Sequence, residues 1–129
     1  MHVIRLRKPW TKMSGGGQGL QRVDVPDAGQ EERSDRLSEA RYRRRFNRPT
    51  QLQEARVYLR ITGWQGHLVS LTLNQRPLPI GQGDGQVDTE ITSLLRPHNE
   101  IEVTLSSIGL AEPCLNGEVV LAIEESKTS

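Results

Sequence analysis

Strict alternation of apolar and polar residues marks the second half of the chain. Val57, Leu59 and Ile61 alternate with Tyr58, Arg60 and Thr62, and Val69, Leu71 and Leu73 alternate with Ser70, Thr72 and Asn74. A period of two puts one set of side chains on each face of an extended strand, the mark of an antiparallel strand with one face buried. Ile101, Val103 and Leu105 repeat the pattern, as do Val119, Leu121 and Ile123. Gly63-Trp64-Gln65-Gly66 reads as a turn, residues 81–86 (GQGDGQ) as a flexible loop, and Asn116-Gly117 as a tight-turn signal. Val87 and Asp88 begin a short extended stretch. Thr92 is placed to cap one helical turn holding Leu94 and Leu95, which Pro97-His98-Asn99 ends.

The first half is less regular. His2 to Arg7 reads as a strand ending at Pro9-Trp10, and Leu20 to Pro26 as a short one. Residues 11–19, with three consecutive glycines, read as loop, and residues 27–39 as a mobile insertion or a short surface helix. The stretch 11–39 is therefore expected to be a flexible or irregular insertion in one domain spanning 1–129. Arg41 to Phe46 reads as a strand with Tyr42, Arg44 and Phe46 inward and Arg41, Arg43 and Arg45 outward. An arginine between two buried aromatics is costly without a counter-charge, so Arg44 is expected to meet a carboxylate of the second half. Seven or eight short strands with almost no helix predict an all-β, mostly antiparallel β-sandwich of jelly-roll type. Large aliphatics are sparse before residue 52 and dense from Val57 to Ile123, so the core should come mainly from the second half.

Charge adds one feature to this picture. Up to Trp64 there are 14 Lys and Arg against 7 Asp and Glu; from Gln65 onward there are 3 against 9. The two halves can neutralise each other inside one sandwich, or form two poles that favour self-association or an anionic partner. With one cysteine, Cys114, no disulfide can form within the chain. No apolar run has the length of a signal peptide or a membrane span, which predicts a soluble, cytoplasmic protein.

The order of motifs resembles the N-terminal sugar-binding domain of glycoside hydrolase family two enzymes, within the galactose-binding-like jelly-roll superfamily. The resemblance rests on Leu6 to Trp10, Val25-Pro26, Tyr42-Arg43-Arg44-Arg45-Phe46 with Pro49, Val57 to Gly63, Val69 to Asn74, and Glu90-Ile91-Thr92-Ser93-Leu94-Leu95 with Asn99 and Ile101 to Val103. It spans nearly the whole chain in a single order. Gln75 stands where the family has Gly after Asn, and Glu90 where it has Asp. The turn at Pro97-His98-Asn99 is one residue short of the family's Pro-Gly-x-Asn turn, and the catalytic barrel is missing. The resemblance implies the fold and a glycan-associated history, and it transfers no catalytic residue.

The residues themselves point to binding rather than catalysis. No nucleophile–base pair or pair of carboxylates can be assembled from the sequence, so no enzyme activity is expected. His2, His67 and His98 lie in separate segments and make a poor metal signature. Asp84 and Asp88 flank the glycine-rich loop but are too few oxygens for calcium. Ser14-Gly15-Gly16-Gly17 lacks the Gly-Lys-Ser/Thr of a phosphate loop, and Gly81 to Gly85 lies between strands rather than before a helix, so no cofactor is expected. Sugar recognition uses exposed aromatic faces beside polar groups. Of the five aromatics, Trp10, Tyr42 and Phe46 are expected in the core, which leaves Trp64 with Gln65 and His67, and Tyr58 on an outward strand position, as the ligand-binding candidates. Trp64 can equally cap the core edge. Arg41, Arg43 and Arg45 form a basic patch that reads either as a solvated ladder or as an anion or nucleic-acid site. The sequence leaves a glycan-binding module, a structural or protein-interaction module, and a weaker nucleic-acid reading open, with no membrane partner.

Overall fold

A computed structural model describes residues 2–14, 20–27, 39–50, 52, 54–80, 85–107 and 113–125. Two antiparallel sheets carry more than half of them. The strands are β1 (His2–Arg5), β2 (Trp10–Ser14), β3 (Leu20–Val23), β4 (Glu39–Asn47), β5 (Arg56–Ile61), β6 (His67–Leu73), β7 (Arg76–Pro77), β8 (Val87–Glu90), β9 (His98–Ser106) and β10 (Val119–Glu124). One sheet has the order β1-β10-β5-β8, the other β3-β2-β4-β9-β6-β7. Neighbours in each sheet are mostly distant in sequence, and the first and last strands pair (Ile4 opposite Leu121). This is the predicted all-β sandwich.

The core lies between the sheets. Val57, Leu59 and Ile61 of β5 and Val119, Leu121 and Ile123 of β10 face Tyr42 and Phe46 of β4, Ile101, Val103 and Leu105 of β9, and Leu68, Leu71 and Leu73 of β6. Each such aliphatic contributes roughly 1.5–3 kcal/mol by leaving water. Trp10 is 0% exposed and donates its indole N–H to the Leu6 carbonyl at 2.6 Å, which satisfies the ring's only polar atom. The core is drawn mainly from the second half, as the aliphatic distribution requires.

Four expectations are corrected. Thr11–Ser14 is strand rather than loop: β2 pairs with both β3 and β4 and buries Lys12 on its inner side. Residues 15–19 and 28–38 of the expected insertion lie outside the described residues, as does Asp84. Val69 does not join Leu71 and Leu73 inside. A bulge between Leu68 and Ser70, where β6 pairs with β9, changes the phase of the alternation, so Leu68 is buried and Val69 is 45% exposed. Thr92 does not cap the turn at Thr92–Leu94; its hydroxyl accepts the Val57 N–H at 2.8 Å and ties the turn to β5. Finally, Arg44 points inward but meets no carboxylate among the described residues. Its guanidinium donates to the carbonyls of Arg45 (2.8 Å) and Lys8 (3.1 Å), and desolvation pushes its pKa down.

Candidate functional site

The loop after β5 carries Trp64 and is braced on one side by the segment leading into β10. Thr62 N–H donates to the Glu118 carbonyl (3.0 Å), Gly117 N–H to the Gly63 carbonyl (2.9 Å), and Gln65 and Cys114 exchange backbone hydrogen bonds at 2.8 and 3.1 Å. Two glycines make this approach possible. Gly66 has φ +104°, and a Cβ there would collide with the Ser106 carbonyl; a Cβ on Gly117 would collide with the Gly63 backbone. The loop is therefore held chiefly through its backbone, with the Thr62 hydroxyl accepting the Glu118 N–H at 2.9 Å beside it.

On that loop Trp64 is half-buried and packs against the edge of the core. The two expectations for it, core-edge cap and contact surface, are thus compatible in one ring. Gln65 is half-buried beside it, and His67 opens β6 as an exposed residue opposite Ser106. The structure brings Trp64, Gln65 and His67 to one end of the sandwich.

Tyr58 stands apart from them. It lies three residues inside the end of β5, about 10 Å along the strand, on the outer face of the four-stranded sheet between Ala122 and Glu90. Arg60 stacks at 5.8 Å from its ring centroid, and its hydroxyl and Glu90 help push the pKa of Arg56 up. With an arginine on either side along the strand, its ring is already engaged.

Arg41, Arg43 and Arg45 form the ladder on the outer face of β4, each ion-paired with a glutamate. Arg43 lies 3.0 Å from Glu102, Arg45 3.2 Å from Glu100, and Arg41 3.7 Å from Glu102 and 3.6 Å from Glu39. The basic half and the acidic half meet here, strand against strand. The patch carries three cations and three anions, so it has no surplus positive charge for a phosphate backbone.

Two arrangements were not visible in the sequence. The brace at residues 113–118 has only Asn116-Gly117 as its signal, a dipeptide that reads as a hairpin turn. The second is a polar cluster beside the core: Asp27 accepts from Lys12 at 3.0 Å and from the Tyr42 hydroxyl at 2.6 Å, and that hydroxyl accepts the Leu115 N–H at 3.1 Å. Burial and the bond to Asp27 push the Tyr42 pKa well above the ordinary 10.0. Among the described residues no group of His, Cys, Asp and Glu could hold a metal ion, and no helix is long and apolar enough to cross a membrane.

No protein-family model matches the sequence, and no curated protein matches it. Solved structures do match in fold. A putative β-galactosidase from Bacteroides fragilis superposes with a TM-score of 0.75 at 18% identity, over 96% of this chain and 23% of that one. A β-D-mannosidase from Dictyoglomus thermophilum gives 0.72 at 14% identity, over 95% and 22%. A β-glucuronidase from an uncultured Clostridium species gives 0.72 at 16%, over 96% and 29%. The chain thus spans less than a third of the length of these glycosidases, and its fold is that of one segment of them, as the resemblance of its motifs implied.

Proposed function

We propose that this chain is a non-catalytic module that contacts glycan through the Trp64 loop. The observation that carries the reading is a half-buried tryptophan on a loop held in place through its backbone, with the exposed His67 three residues on. A sugar stacks on an aromatic face and completes its hydrogen bonds with neighbouring polar groups. A platform fixed before binding loses little entropy when the ligand arrives. The fold shared with segments of a β-galactosidase, a β-mannosidase and a β-glucuronidase supports glycan as the ligand class.

A glycan array followed by fluorescence titration tests the reading. Trp10 is fully enclosed, so the signal change on binding should come from Trp64 alone. Trp64→Ala is expected to abolish binding. His67→Ala is expected to weaken it several-fold without moving the melting temperature, because His67 is exposed. An array with no hit, or binding unaltered in both variants, rejects glycan contact at this loop and leaves the structural-module reading.

A further inference from the structure

The outer face of the six-stranded sheet is complementary to itself. Its centre is two adjacent columns: Arg41, Arg43 and Arg45 on β4 stand in register with Thr104, Glu102 and Glu100 on β9. The flanking columns also correspond. Thr11 and Met13 of β2 lie level with Arg43 and Arg41, while Thr72 and Ser70 of β6, with the bulged Val69, lie level with Glu102 and Thr104. A two-fold axis between β4 and β9, parallel to both, sets Arg43 of one copy over Glu102 of the other and Arg45 over Glu100. The same rotation sets Thr11 over Thr72 and Met13 over Ser70 and Val69.

We propose that two copies of this chain associate face to face through this sheet. Three properties favour a second copy. The central strands carry equal numbers of cations and anions, Arg41, Arg43 and Arg45 against Glu39, Glu100 and Glu102, so the centres of two such faces approach without net repulsion, with Arg22 of β3, level with Thr11, one added cation at the rim. An isologous contact needs a patch that matches its own rotated image, and this one does so in charge at the Arg43–Glu102 and Arg45–Glu100 positions, while Arg41 is set over the 5% exposed Thr104. Exposed apolar side chains also sit on the face, Met13 at 43%, Val69 at 45% and, on β3 opposite Met13, Leu20 at 63%. Five strands about 4.8 Å apart and about 25 Å long offer roughly 500 Å² per copy. The total of about 1,000 Å² is the lower bound for a specific interface, so a reversible dimer of micromolar or weaker affinity is expected.

Sedimentation of the full chain from low micromolar to near-millimolar concentration tests this. The sedimentation coefficient should rise from the monomer toward the dimer value, and less so at high salt. Arg43→Glu alone and Glu102→Arg alone should each stay monomeric, because each sets like charges over one another. An equimolar mixture of the two variants should restore the dimer, because the reversed charges again face opposites. The Arg43 side chain is exposed and that of Glu102 half-buried, so melting curves check that each variant folds. If a reversal unfolds the chain, Arg43→Gln takes its place and should weaken association. A monomeric wild type at every concentration, association unchanged in the variants, or a mixture that stays monomeric while the wild type dimerises would each overturn the proposal.

Discussion

Asn74 and Gln75 occupy the left-handed region, at φ 52° and 69°, in the two-residue turn joining Leu73 to Arg76. Asn74 tolerates this and uses its amide: its oxygen accepts the Glu100 N–H at 2.9 Å, and its nitrogen donates to Asn99 at 3.0 Å. Gln75 has no such compensation among the described contacts, and its Cβ opposes the conformation. Gln75→Gly is expected to stabilise the fold by about 0.5–1 kcal/mol, the relief of that strain less the entropy glycine adds to the unfolded chain; a higher urea midpoint at unchanged slope checks it. The position was legible as a departure from the resembled pattern, and its backbone strain was not. Arg44 shows the same limit. Alternation placed it inward correctly, but which acceptor it meets depends on how the chain at Lys8 crosses from one sheet to the other. Two carbonyls fill the place expected for a carboxylate.

Strands with one apolar face were legible because burial imposes the period, and β5 follows it residue by residue, as does β9 up to Val103. β2 was not, because its inner face is Trp10 and Lys12, and a lysine beside a glycine run reads as loop. Lys12, at 4% exposure, is received by Asp27, fifteen residues on, and by Tyr42 of β4. This cluster joins β2, the segment after β3, β4 and the stretch before β10, and it makes stability depend on alkaline pH. The unfolded tyrosine releases its proton near its ordinary pKa of 10.0, while folded Tyr42 keeps it. Above pH 10 the unfolded state therefore binds fewer protons, and stability falls as pH rises. Tyr42→Phe should remove Tyr42's share of that decline and cost about 1–3 kcal/mol at neutral pH, since the Leu115 N–H loses its acceptor. Denaturant melts of both proteins at pH 7 and above pH 10 measure the two effects together.

At the scale of the whole molecule, the charge asymmetry of the sequence resolves into pairing between distant strands, Arg43 with Glu102, Arg60 with Asp88 and Arg5 with Glu118. The residues of the Trp64 loop were legible for the same reason the strands were, but its brace was not, because Gly63 and Gly117 meet only after both sheets have formed. The topology concentrates one vulnerability at the chain's two ends. β10 is buried on both faces from Val119 to Ile123, and on its outer face Val120 sits in register between Arg5 and Arg60, and Ala122 between Val3 and Tyr58. β1 supplies one side of that cover while being exposed along its whole length, so it shields the most apolar strand with little packing of its own. Removing residues 1–5 would turn β10 into an edge with five consecutive apolar residues and unpaired backbone groups, a template for strand addition. Such a truncation is expected to melt at lower temperature and to scatter light on heating at concentrations where the full chain stays clear. Lys substituted for Ala122 in the truncated chain should suppress the scattering by placing a charge at the new edge without restoring the melting temperature. A truncated chain that melts like the full one, with no scattering, would place β1 outside the cooperative fold.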